Sequence, residues 1–289
     1  MRRPRILLLL VTLVVLIVSG SSPTANMASM GAENKVEEII ARHLVSIGSP
    51  ESRSSARSRI GVGEARMTVR SRGRSEAAGN AVLASQGNKS MITMKFGVPD
   101  YPYEKIGFDG ERVTAYALRP GVYSTLGGFA RTYSVILKEG LLGGTLSSAW
   151  PLLDLSTRKV KLEYAGTKKI DSRSVVEVRY LPRGGSDLSI SLFFDAETFQ
   201  HVRTMYRRTV GAQIGPGVDQ SAGQSESRYE LTEDFSDFRL DGGLNLPHKY
   251  QIQYRYLGAE SRYFDWVMTL HSFVFDQPID DKDFNVANE

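Results

Sequence analysis

The residue types that most often perform chemistry in proteins stand in this chain at spacings that match no familiar catalytic or metal-binding motif. Its four histidines include no pair at the short helical spacing that directs two imidazoles toward one ion. No G-x-S-x-G turn, which would expose a nucleophilic serine, occurs either. The histidines are His43, His201, His248 and His271. We therefore expect them in the core or on the surface, and we expect no metal site.

Acidic and glycine-containing stretches also lack the context that their chemistry requires. The carboxylates between Asp276 and Asp283 could coordinate calcium, but the glycine that shapes a calcium-binding loop is missing. The adjacent pair Glu233–Asp234 could exchange protons, although nothing in the sequence places it in a cleft. Gly61–Gly63 begins like a dinucleotide-binding loop, but Arg66 stands in place of the third glycine. The sequence thus predicts no enzyme and no cofactor.

The first 28 residues have the pattern of an export signal. Arg2, Arg3 and Arg5 precede an apolar run from Ile6 to Val18, and small residues follow it. Such a run is typical of a secretory signal peptide and is shorter than the roughly 20 residues that usually span a bilayer. We expect residues 1–28 to be removed and the product to reach the periplasm; the alternative is an uncleaved N-terminal anchor.

Cysteine is absent from the chain. Its absence excludes a disulfide framework and also the lipid attachment that would make the exported product a lipoprotein. Three of the 36 basic residues lie in the leader, which leaves 33 basic residues against 32 acidic ones. A nearly neutral product offers little electrostatic basis for binding nucleic acid. Two basic stretches, 53–74 and 203–208, predict either transient contact with an anionic membrane surface or ordinary solvated surface.

A helix and then a long series of short strands are expected after the leader. Apolar residues recur at helical spacing from Glu33 to Ile47, and Gly48 is a natural end. The polar residues 51–59 are predicted to form a loop. Beyond them, apolar and polar residues alternate in short runs separated by turns such as Phe108–Gly110 and Gly166–Thr167. Short turns between such runs predict antiparallel pairing, with one apolar and one polar face.

Two segments interrupt the series of strands. Residues 127–150 are predicted to be mainly helical, and residues 213–227, rich in Gly, Ser and Gln, to form a mobile loop. A sheet with one apolar face must cover that face with other elements. We therefore predict a single α+β domain over residues 29–289. Its curved antiparallel β-sheet of about ten strands forms an incomplete barrel plugged by helices.

The concave face of such a sheet is where a ligand would bind. If the helices leave part of this face uncovered, its apolar residues form the wall of a cavity that suits an acyl chain. Methionine recurs there, and its flexible side chain adapts to varied apolar ligands. The alternative is an ordinary filled core. The predicted wall residues are Met67, Val69, Ile92, Met94, Phe96, Ile190, Leu192, Phe194, Tyr254, Trp266 and Met268.

Several short motifs, in their order along the chain, resemble the LolA/LolB-like periplasmic lipoprotein-carrier family. They are the helix end Leu44–Gly48, the turn Phe108–Gly110, the strand and turn Leu192–Phe199, the late hairpin Phe235–His248 and the closing segment Pro278–Phe284. The resemblance extends over most of residues 33–287. It implies a half-barrel that binds acyl chains or lipidated proteins on its concave face.

These features predict a periplasmic carrier or sensor that holds lipid, an acyl chain or a lipidated protein without covalent chemistry. Burial of the chain would contribute about 0.8 kcal/mol per CH₂, and a helix or the loop 213–227 would act as a lid. An envelope structural or protein-interaction module with a filled core is the alternative, and a hydrolase of envelope polymers is a third hypothesis. We expect a monomer that binds no nucleic acid.

Overall fold

The computed structural model describes residues 23–71, 73–158, 160–211, 227–258 and 261–287. The predicted first helix is confirmed and is longer at its N-terminal end, because α1 extends from Pro23 to Ile47. Its apolar stripe, which includes Val36 and Ile39, is buried. Most of the expected signal peptide and most of loop 213–227 lie outside the described residues, and Ser227 begins a strand. Among the described helices, none is long and apolar enough to cross a membrane.

The described residues form fourteen β-strands, five α-helices and three short 3-10 helices. The strands are β1 (Ser58–Arg70), β2 (Arg74–Gln86), β3 (Lys89–Phe96), β4 (Tyr103–Phe108), β5 (Val113–Ala115), β6 (Ala117–Arg119), β7 (Val122–Tyr123), β8 (Lys161–Ile170), β9 (Arg173–Leu181), β10 (Ser189–Asp195), β11 (His201–Val210), β12 (Ser227–Asp241), β13 (Leu244–Leu257) and β14 (Arg262–Phe275). The helices after α1 are α2 (Pro50–Ser55), α3 (Thr125–Thr132), α4 (Val135–Lys138) and α5 (Leu155–Arg158), and the 3-10 helices are Gly144–Leu146, Pro151–Leu153 and Asp281–Phe284.

Twelve strands form one antiparallel sheet in the order β5-β4-β3-β2-β1-β14-β13-β12-β11-β10-β9-β8. Most neighbours in the sheet are also neighbours in sequence, as expected for hairpins, whereas β1 and β14 join distant parts of the chain. In the part of the chain that the structure describes, the edge strands β5 and β8 do not pair with each other, so the barrel is incomplete. The predicted α+β class and the open, curved antiparallel sheet are confirmed.

Three local predictions differ from the structure. The strands are more numerous than expected because β5, β6 and β7 are only two or three residues long, too short for alternation to be visible. The predicted loop 51–59 was wrong, because it contains α2, which Ser49 caps by accepting a hydrogen bond from the amide of Ser52 at 3.1 Å. The predicted turn Gly166–Thr167 lies inside β8, where Gly166 adopts φ +104° at a bulge.

Residues 125–158, hereafter the plug, cover the concave face of the sheet. Leu126 and Trp150 of the plug belong to the same buried core as the inward side chains of the strands. The predicted helical segment is confirmed in outline, but it is divided into short helices. Gly140 and Gly144 adopt left-handed backbone angles, φ +70° and +51°, which L-residues rarely adopt. These glycines let the plug change direction within the concavity.

Gly140→Ala is expected to destabilise the fold. A Cβ at this position would lie 2.0 Å from the carbonyl oxygen of Ala149, and φ is left-handed. Such a backbone conformation costs about 1–3 kcal/mol in a non-glycine residue. The matched control is Gly128→Ala in α3, where the new Cβ meets open space and helix propensity should add up to about 1 kcal/mol of stability. Urea unfolding measures both changes, and equal midpoints would contradict this account.

Candidate functional site

The structure brings the eleven predicted wall residues onto the concave side of the sheet, with pairs such as Met67 and Trp266 opposite each other on β1 and β14. Nine of them are buried, in one core with the side chains of the plug, and Val69 and Tyr254 are partly buried. Most of the predicted wall therefore packs against protein, while Tyr254 lines a sizeable cavity. That these residues contact a ligand stays a prediction.

The cavity beside Tyr254, hereafter the aromatic cavity, has a volume of about 640 Å³. It opens between α3 and the ends of β11, β12, β13 and β14 that lie on one side of the sheet. Aromatic rings dominate its walls, and hydroxyl and guanidinium groups provide its polar positions. The lining residues are Ser124, Thr125, Gly128, Phe129, Thr132, Tyr133, Arg208, Val210, Tyr229, Tyr254, Tyr256, Arg262 and Phe264.

The rings of the aromatic cavity form a continuous series. Phe129 lies 4.7 Å from Tyr133 and 5.8 Å from Tyr254, measured between ring centres, and Tyr254 lies 6.3 Å from Phe264. Arg208 donates a hydrogen bond from Nη1 to the Tyr133 hydroxyl at 2.9 Å. Burial raises the pKa of Tyr254 to about 12, so its phenol keeps its proton at neutral pH. The cavity can therefore hold an apolar chain and also hydrogen-bond a polar end.

Glu104 on β4 is a buried carboxylate that holds the start of α3. It accepts hydrogen bonds from the hydroxyls of Tyr101 and Ser124, and from the amide of Gly127 at 3.1 Å. Ser124 also caps α3 by accepting from the Gly127 amide at 3.0 Å. Burial raises the pKa of Glu104 to about 7, and the hydrogen bonds oppose this rise. The carboxyl thus fixes the end of the helix whose flank lines the aromatic cavity.

Glu233 on β12 performs the corresponding role further along the plug. Its Oε1 accepts hydrogen bonds from the amide of Gly143 at 2.7 Å and from the Tyr250 hydroxyl at 2.6 Å. Its Oε2 accepts from the Tyr206 hydroxyl at 2.6 Å. Burial raises the pKa of Glu233 to about 7. Because strand side chains alternate, Asp234 lies on the opposite face, and the two carboxyls do not form an acid–base pair.

Arg59 on β1 also lies beneath the plug, with a fully buried guanidinium. Its Nη1 donates hydrogen bonds to the carbonyl oxygens of Thr145 at 2.7 Å and Ser147 at 3.3 Å. Its Nε and Nη2 have no hydrogen-bond partner within the described structure. Burial lowers the pKa of Arg59 to about 10, so the group remains charged at neutral pH. The arginine therefore tethers the plug while carrying unused hydrogen-bond donors.

His43 and His201, far apart in sequence, meet around Trp150 of the plug. His43 donates from Nδ1 to the carbonyl oxygen of Phe199 at 3.0 Å, and its Nε2 accepts from the Trp150 indole at 3.0 Å. The ring of His201 stacks on Trp150 at 4.5 Å. Burial lowers the pKa of His43 to about 4 and that of His201 well below its ordinary value. Both are neutral core groups that join α1, the plug and the sheet.

Another cleft, of about 830 Å³, lies at the β5 edge of the sheet. Arg112, Arg131, Lys138 and Lys282 are among its lining residues, and none of its lining residues is aromatic. Within the described residues, no three His, Cys, Asp or Glu side chains are placed to hold one metal ion. The aromatic cavity, with its series of rings, is therefore the candidate site for a lipid-like ligand.

The burial of Glu104 and Glu233 was not predicted from the sequence, although the alternating pattern carries a signal for it. Glu104 shares the inward face of its strand with Ile106, and Glu233 lies on the inward face between Leu231 and Phe235. A carboxylate at an inward position of an alternating strand needs hydrogen-bonding partners, because burying it alone is costly. Those partners come from the plug and from neighbouring strands, which the sequence alone does not bring together.

No protein-family model matches this chain, and no curated protein matches its sequence. Among solved structures, a LolA superfamily protein from Nitrosomonas europaea is 12% identical, with 85% of this chain and 96% of that chain covered and a TM-score of 0.42. A putative outer membrane lipoprotein-sorting protein domain from Vibrio parahaemolyticus is 10% identical, with 86% and 95% covered and a TM-score of 0.41. The first of these structures bears the name of the superfamily that the sequence motifs resemble. These matches concern the fold alone, and at TM-scores below 0.5 no functional argument rests on them.

Glu233→Gln is expected to make stability less sensitive to pH. Because the pKa of Glu233 is raised from 4.5 to about 7, its contribution to stability is present below pH 4.5 and is lost as pH rises toward 7. The parent protein should therefore lose about 1.4 kcal/mol of unfolding free energy per pH unit relative to the variant as the pH rises through this interval. Urea unfolding at several pH values measures it.

The control for this experiment is Glu38→Gln, because Glu38 is an exposed carboxylate on α1. The Glu38→Gln variant provides the reference against which the pH dependence of the Glu233→Gln variant is compared. A Glu233→Gln difference that varied with pH no more than this reference would mean that the buried carboxyl titrates normally, and the proposed environment of Glu233 would be wrong.

Proposed function

We propose that the protein is an exported periplasmic carrier that binds the acyl chain of a lipid or lipidated protein in the aromatic cavity. The observation that carries this proposal is the cavity itself, because a volume of about 640 Å³ and a lining with six aromatic residues among thirteen are typical of small-molecule sites. In this proposal residues 1–28 act as the signal peptide and the product works as a monomer.

The mode of binding follows from the distribution of polar groups. The acyl chain lies against the rings of Phe129, Tyr254 and Phe264, and each buried CH₂ contributes about 0.8 kcal/mol. A polar or anionic end of the ligand faces the guanidinium groups of Arg208 and Arg262 at the opening. Binding of this kind breaks and forms no covalent bond, so the ligand is released unchanged.

The plug sets how far a chain can penetrate. The predicted wall residues Met94 and Trp266 lie in the core beneath it, so a longer chain reaches them when the plug moves. Arg59 opposes that movement through its hydrogen bonds to Thr145 and Ser147. In this proposal the tether keeps the empty protein closed and its hydrophobic core covered.

Gly128→Phe is expected to abolish acyl-chain binding at the aromatic cavity. Gly128 lines the cavity, and a Cβ added there has no heavy atom within 4 Å outside its own turn of helix. The phenyl ring would occupy the volume that the acyl chain needs. Titration of a fluorescent fatty acid, with palmitate as competitor, measures the affinity, and circular dichroism checks that the fold is kept.

The matched control is Gly97→Phe, at an exposed glycine that also has open space around it and is not part of the cavity lining. It should bind the probe like the parent protein. The proposal would be withdrawn if the parent protein bound no probe and organic extraction of the purified protein released no lipid. If both glycine variants bound the fatty-acid probe equally well, the acyl chain would have to bind outside this cavity.

Arg59→Met is expected to loosen the plug while leaving the sheet intact. Methionine retains an apolar stem and fills the buried space, but it cannot donate hydrogen bonds to Thr145 and Ser147. Hydrogen exchange should accelerate in residues 141–150 and stay unchanged in β12–β14. The control is Arg57→Met, because Arg57 is an exposed arginine two residues before Arg59. Uniformly faster exchange would indicate general destabilisation and would contradict a specific tether.

The packed concave face favours a second candidate function. Nine of the eleven predicted wall residues are buried core, as a protein-interaction module with a filled interior would have. The same titration separates the two functions, because the interaction module would bind no acyl probe in either the parent protein or the glycine variants.

A further inference from the structure

One end of the sheet, the end at which the aromatic cavity opens, carries a row of arginines, of which Arg208 and Arg262 line the cavity. We call this row the basic rim. It consists of Arg70, Arg74, Arg207, Arg208, Arg228, Arg255 and Arg262. These residues lie at or near the ends of β1, β2, β11, β12, β13 and β14 that meet on one side of the sheet.

The strand register aligns the arginines of the basic rim. Arg70 lies opposite Arg74 on β2 and opposite Tyr263 on β14. Arg255 on β13 is the other neighbour of Tyr263. Arg228 on β12 continues the row toward β11. The two basic stretches of the sequence, distant along the chain, therefore contribute to one surface.

Charge is distributed unequally between the two ends of the sheet. At the basic rim, Arg207 and Arg255 share Glu230, with N···O distances of 2.9 and 3.9 Å. Arg208 lies 3.5 Å from Asp187, and Arg74 pairs with Glu76. Within the described residues, arginines outnumber carboxylates at this end. The turns at the opposite end carry Asp109, Asp171, Asp195, Asp241 and Asp276, and the first three pair with Arg112, Arg203 and Arg173. The basic rim therefore attracts an anionic surface more strongly than the opposite end does.

Aromatic and apolar side chains are interspersed with the arginines. Tyr263 lies between the guanidinium groups of Arg70 and Arg255, which are 5.5 and 5.7 Å from its ring centre. Leu257 and Leu181, at strand ends on the same side, remain 47% and 39% exposed. Basic residues mixed with tyrosine and leucine are characteristic of surfaces that sit in the headgroup region of a bilayer.

We propose that the basic rim docks on an anionic phospholipid bilayer and turns the opening of the aromatic cavity toward the lipid. This inference rests on the proposed function, because it gives the acyl chain a path between membrane and cavity. Six neighbouring strands, about 4.8 Å apart, spread the rim over about 24 Å. A front of this width contacts several lipid headgroups at once, and its exposed leucines suit a bilayer better than a polar acidic protein.

The test is co-sedimentation of the full chain with vesicles of phosphatidylcholine alone or mixed with phosphatidylglycerol. Binding is expected to the mixed vesicles only and to weaken as salt screens the charges. Arg70→Gln and Arg255→Gln should each lower the affinity about fivefold, and the double variant about 25-fold. Both side chains are exposed, so the fold should tolerate the changes.

The matched control is Arg239→Gln, an exposed arginine near the opposite end of the sheet. It should bind mixed vesicles like the parent protein. Equal binding to both kinds of vesicle, or an equal loss in Arg239→Gln, would overturn docking through the basic rim. Binding to soluble polyglutamate without binding to vesicles would overturn it in favour of an acidic protein partner.

Fatty-acid titration in vesicle-free buffer separates this inference from the proposed function. The Arg70→Gln/Arg255→Gln double variant should bind the fluorescent fatty acid with the affinity of the parent protein, because neither residue lines the aromatic cavity. Loss of vesicle binding with intact probe binding supports docking through the rim. If the parent protein binds vesicles but takes up no fatty-acid probe, docking through the rim is supported and the proposed carrier function is contradicted.

Discussion

The hydrogen bonds from the amides of the plug to two buried carboxylates are the interactions on which the rest of this structure depends. Glu104 holds the start of α3, and Glu233 holds Gly143 at the middle of the plug. Each carboxylate also has tyrosine donors, so the cost of its burial is offset by several hydrogen bonds at once. Loss of the Glu233 carboxyl would take this acceptor from the Gly143 amide and two tyrosine hydroxyls, and loss of the Glu104 carboxyl would take it from the Tyr101 and Ser124 hydroxyls, which is itself costly.

The position of the plug in turn decides where an opening remains. The plug fills the centre of the concave face, where Trp150 packs among the inward residues of the sheet and between His43 and His201. The flank of α3 that carries Phe129 stops short of the ends of β13 and β14, and the aromatic cavity lies in the gap. A cavity at the rim of a packed half-barrel is accessible from outside without unfolding the core.

The same strand ends carry both the opening and the basic rim, because β11, β12, β13 and β14 contribute residues to both. Arg208 illustrates the double role: it bonds to Tyr133 inside the cavity and lies near Asp187 at the surface. Apolar binding and electrostatic attraction are thereby combined at one end of the sheet. The two effects respond differently to salt, since salt screens the electrostatic attraction and leaves the burial of an acyl chain largely unaffected.

The sequence by itself determined the architecture, because period-two alternation and turn residues report directly on antiparallel strands with one buried face. It identified α1, the interrupted helical segment and the inward residues from Met67 to Met268. It missed α2 and the bulge at Gly166, where local backbone geometry overrides a simple pattern. Only the tertiary structure decided which inward residues are core and which, like Tyr254, border open space. That distinction depends on how the plug sits against Glu104, Glu233 and Arg59, and contacts between residues so distant in sequence leave no local pattern.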